Sequence, residues 1–417
     1  MGFFCFKGVK HLLYLHGCYK LQLLGSKGEH LKAFQESHIK EYKESPQVVV
    51  RVPDVTTILG EFAYYSQGKA LMCTNDRYLY VALSETSDPQ VHIFNTYTKD
   101  KKRFSLSSLK YRKEDKWGNY VKGIFYQLNE MGVGLKTFNI TLDGPVLKDG
   151  SSNLAAIVSV GICFALKEAL GLSLDTKEMG IICHRNCIQY CGETYRYSTI
   201  MAALNAKKGK YFLFDLNTLS FSYLDDPFDK GTYSMLAIDC KINQNAMRDE
   251  FSHRHKEAME AFAKLRELTS RISFKDFPIS DLSDRIIPLD EASRRICSDI
   301  LEENSATQVM QRLFVSHDYV QIGKVLSRMA LIARDDMELT CPEIDWLVKR
   351  SAEIPECTGS FSILDGDNAQ VALVLEDSPE AMAKLQAKLD DYERIFGFKA
   401  IVSAVVPKGQ CCLVEVE

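Results

Sequence analysis

The segment from Gly144 to Leu166, GPVLKDGSSNLAAIVSVGICFAL, restricts the fold of this 417-residue chain most strongly. The stretch FNITLDGP, which leads into it and overlaps its first two residues, has the β-branched and aromatic content of a strand. The run after Ser151 has the length and apolar content of a buried helix, which Gly171 can close at its C-terminus. A strand, a tight loop and a helix N-terminus in this order form the outline of a phosphate-binding loop.

The loop itself departs from that outline in its side chains. Leu147, Lys148 and Asp149 stand where a phosphate-binding loop needs glycine, and a Cβ there crowds the approach of backbone N–H groups to phosphate. Asp149 adds negative charge where an anion would lie, which Lys148 would offset only in part. Ser151 and Ser152 fit a role as helix N-caps as well as a role at a nucleotide.

Composition predicts two packed units of ordinary globular character. A length of 417 residues exceeds the usual single domain, and 46% hydrophobic with 25% charged residues is typical of a chain with a sizeable core. The net charge of -4 gives no basic field, so neither nucleic acid nor a membrane surface is expected as a partner. The short basic run KDKKR, residues 99–103, is predicted to be a solvated loop.

Thirteen cysteines scattered through apolar segments predict reduced thiols and a cytoplasmic location rather than a disulfide framework. Cys183, Cys187 and Cys191 fall on one helical stripe, but this spacing is unlike that of structural zinc sites, so no metal is expected there. Residues 1–29 are interrupted by lysine and histidine and form an N-terminal extension of unknown role. No apolar run is long enough to predict a membrane span.

Periodicity predicts an α+β fold in two domains, residues 30–226 and 227–417. The first contains a helix at His30–Lys43, several β-branched strands, the helices around WGNYVKG and after Ser151, and a further helix at Thr176–Tyr190. Beyond Asp226 a single strand leads into a mostly helical stretch at 245–353. The chain then closes with a strand, a helix and a strand.

Several segments, in order, resemble a known family. ARDDMELTCPEIDWLV at Ala333–Val348 is similar to LRDDYEVSCPELD of galactokinases, WGNYVKG at Trp117–Gly123 to WANYVRG, and EFSHRHKEAMEA to SEYNVRRRQCEEA. The chain therefore resembles a galactokinase of the GHMP kinase superfamily from about His30 onwards. The resemblance implies a two-domain GHMP kinase fold with ATP, Mg²⁺ and a sugar bound in the cleft between the domains.

The residues that carry the chemistry of that family are replaced in the sugar-binding motif. DVTTILGEFAYYSQG matches the family's GRVNLIGEHTDYNDG, and the retained residues are Gly60, Glu61, Tyr65 and Gly68. The arginine that would stabilise charge on the transferring phosphoryl group falls on Val55, which cannot do so. The histidine and aspartate of the sugar site fall on Phe62 and Tyr64.

The nucleotide and metal motifs are replaced as well. PVLKDGSSNLA matches PxGAGLSSSA, so the degenerate nucleotide loop comprises Leu147, Lys148, Asp149, Gly150, Ser151 and Ser152. In CHRNCIQYCGETYRYSTIMAAL, the Mg²⁺-binding glutamate falls on Cys187, and a neutral thiol is a poor ligand for Mg²⁺. The catalytic aspartate falls on Ser198 or Thr199, neither of which is a carboxylate. Of the final motif, TGGGFGG, only Thr358 and Gly359 remain before an insertion.

Loss of every catalytic group beside a retained scaffold favours a galactokinase-like pseudoenzyme. Such a protein would act as a binding, sensing or scaffold protein, with an unknown protein partner and, as a further candidate ligand, a sugar. The first alternative is an active sugar 1-kinase that uses ATP and Mg²⁺ on galactose or a related sugar. The second alternative is a protein that binds its ligand without turnover.

Overall fold

The computed structural model describes residues 27–147, 153–242, 245–275, 277, 288–365 and 368–416. Most of the expected N-terminal extension therefore lies outside the described residues. So do five residues of the predicted nucleotide loop, namely Lys148, Asp149, Gly150, Ser151 and Ser152.

The first sheet is built mainly from the N-terminal part of the chain. Its strands are β1 (Val48–Leu59), β2 (Lys69–Glu85), β3 (Gln90–Asn95), β4 (Asp100–Ser105), β5 (Phe138–Asp143), β6 (Lys210–Asp215), β7 (Ser220–Asp225) and β12 (Cys412–Leu413). They follow the order β12-β1-β2-β5-β3-β4, with β6 also on β2 and β7 on β6. The long β2 makes this branching possible because residues 80–85 pair with β5 and residues 69–72 pair with β6.

The basic run at residues 99–103 corrects a sequence-based expectation. It was expected to form a loop, but most of it lies in β4, which pairs antiparallel with β3 through contacts such as His92 with Arg103. β4 is the last strand in this order, and its Lys101 forms an ion pair with Glu41. Edge strands often carry lysines, because their charge opposes pairing with other chains. The composition of such a strand therefore resembles that of a solvated loop.

Helices cover the first sheet and supply its core. They are α1 (Lys27–Tyr42), α2 (Ala63–Ser66), α3 (Gly118–Glu130), α4 (Leu154–Leu170), α5 (Thr176–Arg185) and α6 (Tyr197–Asn205). α4 is buried along most of its length and ends at Gly171 in the left-handed conformation, as predicted. The helix expected at Thr176–Tyr190 continues beyond α5 as a π-helical segment, Asn186–Tyr190.

The second sheet is smaller, with the order β11-β8-β10-β9. Its strands are β8 (Tyr233–Asp239), β9 (Cys357–Asp365), β10 (Asn368–Glu376) and β11 (Ile401–Ala404). The helices are α7 (Asn245–Thr269), α8 (Glu291–Ser316), α9 (Tyr319–Leu331), α10 (Pro342–Ala352) and α11 (Pro379–Phe396), with a π-helical segment at Ile332–Asp336. The predicted α+β class and the helical stretch before β9 are confirmed.

The two sheets share a hydrophobic core where β1 meets β9. Ile58 and Leu59 at the end of β1 belong to the same buried cluster as Phe361 and Ile363 of β9. This contact brings the turn after β1, which carries the predicted sugar motif, against the helices of the second sheet. Within the described residues, every helix is too short or too polar to cross a lipid bilayer.

Candidate functional site

The turn that follows β1 is anchored on α8. Gly60 has φ +94°, and a Cβ there would lie 2.4 Å from the carbonyl oxygen of Lys69, so the turn requires glycine. The Gly60 N–H donates to Oε1 of Glu303 at 2.8 Å. Burial raises the pKa of Glu303 to about 7. The retained glycine therefore joins the predicted sugar motif to a helix of the second sheet.

Glu61, the retained acid of the sugar motif, is in a buried ion pair. Its Oε1 lies 2.5 Å from Nη1 of Arg196, and the two side chains are only 5% and 7% exposed. Arg196 directly precedes α6, so it enters the site from the element that carries Ser198. His255 Nε2 lies 3.8 Å from the same Glu61 oxygen. Burial, reinforced by Arg196, lowers the pKa of His255 to about 3, so this histidine is neutral near pH 7.

The aromatic residues of the motif also contact protein side chains. Phe62 is 1% exposed and stacks on the His255 ring with centroids 4.4 Å apart. The Tyr65 hydroxyl lies 2.9 Å from Nδ1 of the same histidine. Tyr64 is 38% exposed and stacks on Tyr195 at 3.7 Å, with the two ring planes 14° apart. The motif thus forms an aromatic connection between β1, α7 and the residues before α6.

A cavity of about 30 Å³ remains beside this connection. Glu61 and Phe62 line it from one side, and Asp299 and Glu303 of α8 line it from the other. This volume holds roughly one water molecule. Asp299 Oδ2 has no hydrogen-bond partner among the described residues, and burial raises the pKa of Asp299 to about 7.

Val55, at the position of the family's phosphate-binding arginine, is a core residue of β1 with 1% exposure. Its neighbour Asp54 is buried and accepts hydrogen bonds from the Val55 N–H at 2.8 Å and from the Asn153 side chain at 3.0 Å. Asn153 occupies the N-cap position of α4, but its side chain makes no capping hydrogen bond to the helix. Arg77 Nε lies 3.8 Å from Asp54 Oδ2. A cation therefore lies beside the start of α4, on β2 rather than on β1.

Cys187, at the position of the family's metal-binding glutamate, faces the core of the first sheet. It is fully buried, its Sγ lies 3.8 Å from Ser159 Oγ, and burial raises its thiol pKa to about 12. A protonated thiol does not match the hard oxygen donors that Mg²⁺ prefers. No group of three His, Cys, Asp or Glu in the described part of the chain could hold a metal ion. The described residues at this position therefore do not fit Mg²⁺.

The remaining motif positions serve packing. Leu147 is 2% exposed and lies in the core of the first sheet. A Cβ on Gly359 would lie 2.0 Å from the carbonyl oxygen of Gly323, so this glycine lets α9 approach β9 closely. In the first turn of α6, Ser198 is half-buried and Thr199 is buried. Leu147 and Gly359 thus lie in different parts of the fold, whereas Ser198 and Thr199 lie in the helix that follows Arg196.

Several residues at the site were not predicted from the sequence, among them Arg196, Tyr195 and His255. A signal for Arg196 was present in the sequence, because a cation lies two residues before Ser198, where the family has its acid. His255 lies in the segment EFSHRHKEAMEA, whose charged composition gives no sign that one histidine is buried. Arg77 was also missed, since only the pairing of β1 with β2 brings it near Val55.

No family model matches the chain. It is 24% identical over 375 residues to a provisionally named galactokinase of Treponema pallidum, covering 89% of this chain and 93% of that protein. It is 22% identical over 361 residues to a galactokinase of Pyrococcus furiosus, covering 87% and 98%. A Lactococcus lactis galactokinase complexed with galactose superposes with a TM-score of 0.82 at 17% identity, covering 92% and 99%. A Methanococcus jannaschii mevalonate kinase superposes with a TM-score of 0.59 at 13% identity, covering 89% and 100%.

The two sheets, their shared core and these structural similarities show that the chain has the fold of the GHMP kinases. The predicted fold is therefore confirmed. In sequence, the chain is similar to curated galactokinases over most of its length.

Proposed function

We propose that the chain is a galactokinase-like pseudoenzyme that does not transfer phosphate and acts by binding, as a sensor or a scaffold for a protein partner. The observation that carries this proposal is the buried contact between Glu61 and Arg196. A sugar hydroxyl needs a directed acceptor, and the carboxylate that would supply it is neutralised by a protein cation. Phe62, on the family's histidine position, stacks on His255 and has no group that can bind a hydroxyl.

The positions of the missing catalytic groups support the same proposal. Val55 and Cys187 are buried in the core of the first sheet, where their side chains stabilise the fold. Ser198 and Thr199 offer hydroxyls in place of the acid expected beside the sugar. Phosphoryl transfer depends on positioning and on neutralising charge, and each of these replacements removes one such contribution.

One observation favours an active ATP-dependent sugar 1-kinase as a second candidate. Arg77 lies within 3.8 Å of Asp54, beside the N-terminus of α4, where a helix attracts anions. A cation on β2 would supply charge to a bound phosphate in place of the arginine that Val55 replaces. In that case galactose or a related sugar would be the acceptor, and ATP with Mg²⁺ the donor.

The decisive experiment measures ADP release from Mg·ATP with a panel of hexoses, and thermal unfolding with each ligand alone. We expect no sugar-dependent ADP release, while the Pyrococcus furiosus galactokinase serves as the positive control. A hexose that raises the melting temperature without ADP release would support the sensor role. At a ligand concentration 100-fold above Kd, binding stabilises the folded state by about 2.7 kcal/mol. Sugar-dependent ADP release would overturn the pseudoenzyme proposal.

The second candidate has its own test. If sugar-dependent ADP release is found, the variant Arg77→Gln should abolish it. Arg51→Gln is the matched control, because Arg51 lies on the same sheet but stacks on the ring of Tyr78. Equal activity of the two variants would exclude Arg77 as the phosphate-binding cation.

A further inference from the structure

A second cavity, of about 250 Å³, lies between α9, α10 and β9. Apolar residues form much of its wall, including Ala330, Leu331, Val348 and Ala352. Leu331 and Ala352 are exposed, so the cavity is open to solvent on this side. At roughly 30 Å³ for each water-sized group, it has room for about eight non-hydrogen atoms. It is thus slightly smaller than typical sites for drug-sized ligands, which measure roughly 300–1,000 Å³.

Two buried hydroxyls form the floor of this cavity. Ser360 and Ser362 are two residues apart on β9, so their side chains lie on the same face of the sheet. They are 1% and 6% exposed, and neither Oγ atom has a hydrogen-bond partner among the described residues. Phe361 and Ile363, on the opposite face, are apolar and pack in the shared core. Buried hydroxyls normally have partners, so this pair is placed for a group from outside the chain.

The rim of the cavity carries balanced charge. Arg334 forms two hydrogen bonds with Asp335, at 2.7 and 2.8 Å, which neutralise it locally. Lys349 and Asp345 add one charge of each sign. The Thr340 hydroxyl lies in hydrogen-bond contact with Asp345. Two cations therefore face two anions, and the floor is uncharged.

We propose that this cavity binds a small neutral polyol with a chain of about four carbons. Each serine hydroxyl both donates and accepts a hydrogen bond, as does each hydroxyl of a polyol. The carbon chain would contact the apolar wall, and a charged ligand is disfavoured because the floor offers no counter-ion. Ser362 also lines the smaller cavity beside Glu61, but neither Glu61 nor Arg196 lines this one, so the proposal does not depend on the proposed loss of kinase activity.

The test is a saturation-transfer NMR titration of the full chain with erythritol, a four-carbon polyol. A direct binding readout is needed because polyols also stabilise proteins by exclusion from their surface. We expect saturable binding, weakened about tenfold in Ser360→Ala through loss of one hydrogen bond. Ala352→Trp, which places a ring at the exposed side of the cavity, should abolish binding. Ser351→Ala is the matched control, because its hydroxyl is buried and without a partner among the described residues but does not line the cavity.

Each variant is first checked for an unchanged urea unfolding transition, so that loss of binding is not loss of folding. Absence of saturable binding to the wild-type chain would overturn the proposal. Ordered water would then be the hydrogen-bond partner of the two serine hydroxyls. Equal weakening in Ser351→Ala, or binding that survives Ala352→Trp, would place the ligand elsewhere and also overturn it. Tighter binding of erythronate, the corresponding acid, would refute the assignment of a neutral ligand.

Discussion

Replacement of Arg196 by methionine is expected to destabilise the fold strongly, because it leaves Glu61 buried without its cation. The side chains of the pair are 7% and 5% exposed, so water cannot solvate the remaining carboxylate. Removing one partner of a buried ion pair typically costs about 3–5 kcal/mol. Glu61→Gln should cost a similar amount, since it leaves the guanidinium buried without its counter-charge. Either loss is a large part of the roughly 5–15 kcal/mol by which proteins are stable.

The double variant separates the ion pair from the packing of each side chain. Removing both charges avoids the uncompensated charge, so Glu61→Gln with Arg196→Met should cost at least about 2 kcal/mol less than the sum of the single variants. Urea unfolding followed by circular dichroism measures all three values, with the slope m confirming that the same surface is exposed. Arg350→Met, in an exposed pair with Glu353, should leave the midpoint almost unchanged.

Additive costs of the two single variants would contradict a coupled ion pair between Glu61 and Arg196. If the two single variants sum to the double within about 0.5 kcal/mol, the two side chains do not act as a pair. Glu61 would then be available to a ligand, and the main support for the pseudoenzyme proposal would be lost. A gain of hexose binding in Arg196→Met alone would instead support a sugar site that the arginine blocks.

Three further predictions concern the replaced positions and the buried acids. Cys187→Glu should unfold the protein or lower its urea midpoint sharply, because it buries an unpaired carboxylate. Ser198→Asp should be tolerated in the same assay, because Ser198 is half-buried in the first turn of α6. Phe62→Ala should cost about 3–5 kcal/mol in urea unfolding, and a cost under about 1 kcal/mol would contradict its packing on His255. Burial raises the pKa of Asp299 to about 7 from an ordinary 3.8, so its ionisation should lower the free energy of unfolding as pH rises from about 4 to 7. Unfolding curves across this range should show a smaller loss of stability per pH unit in Asp299→Asn. The difference between the two slopes should be at most about 1.4 kcal/mol per pH unit.

The elements with strong periodicity were predictable from sequence. The helix α4 and its glycine C-cap follow from local rules, because an apolar run and a left-handed residue act over a few positions. The strand β4 was missed for a physical reason. Its exposed basic residues, Lys101 and Arg103, suit an edge strand, and the same residues would suit a loop.

The sequence predicts which catalytic residues of the family are replaced. It does not predict which side chains contact the retained Glu61. The absence of a carboxylate at Cys187 or an arginine at Val55 follows from the motif alone. The contact of Glu61 with Arg196 joins residues 135 positions apart, and no local pattern encodes it. The burial of His255 likewise depends on how α7 packs against the turn after β1.

The position of β12 has a consequence for how the chain folds during synthesis. β12 pairs with β1, through Val50 with Leu413 and Arg51 with Cys412, while the Val414 N–H donates to the Val49 carbonyl. The strand that covers the edge of β1 is therefore translated last among the described strands of both sheets. Domains often fold in turn as they leave the ribosome. Here the first sheet keeps an open edge until the second has been made, so an N-terminal fragment would expose that edge to pairing with other chains.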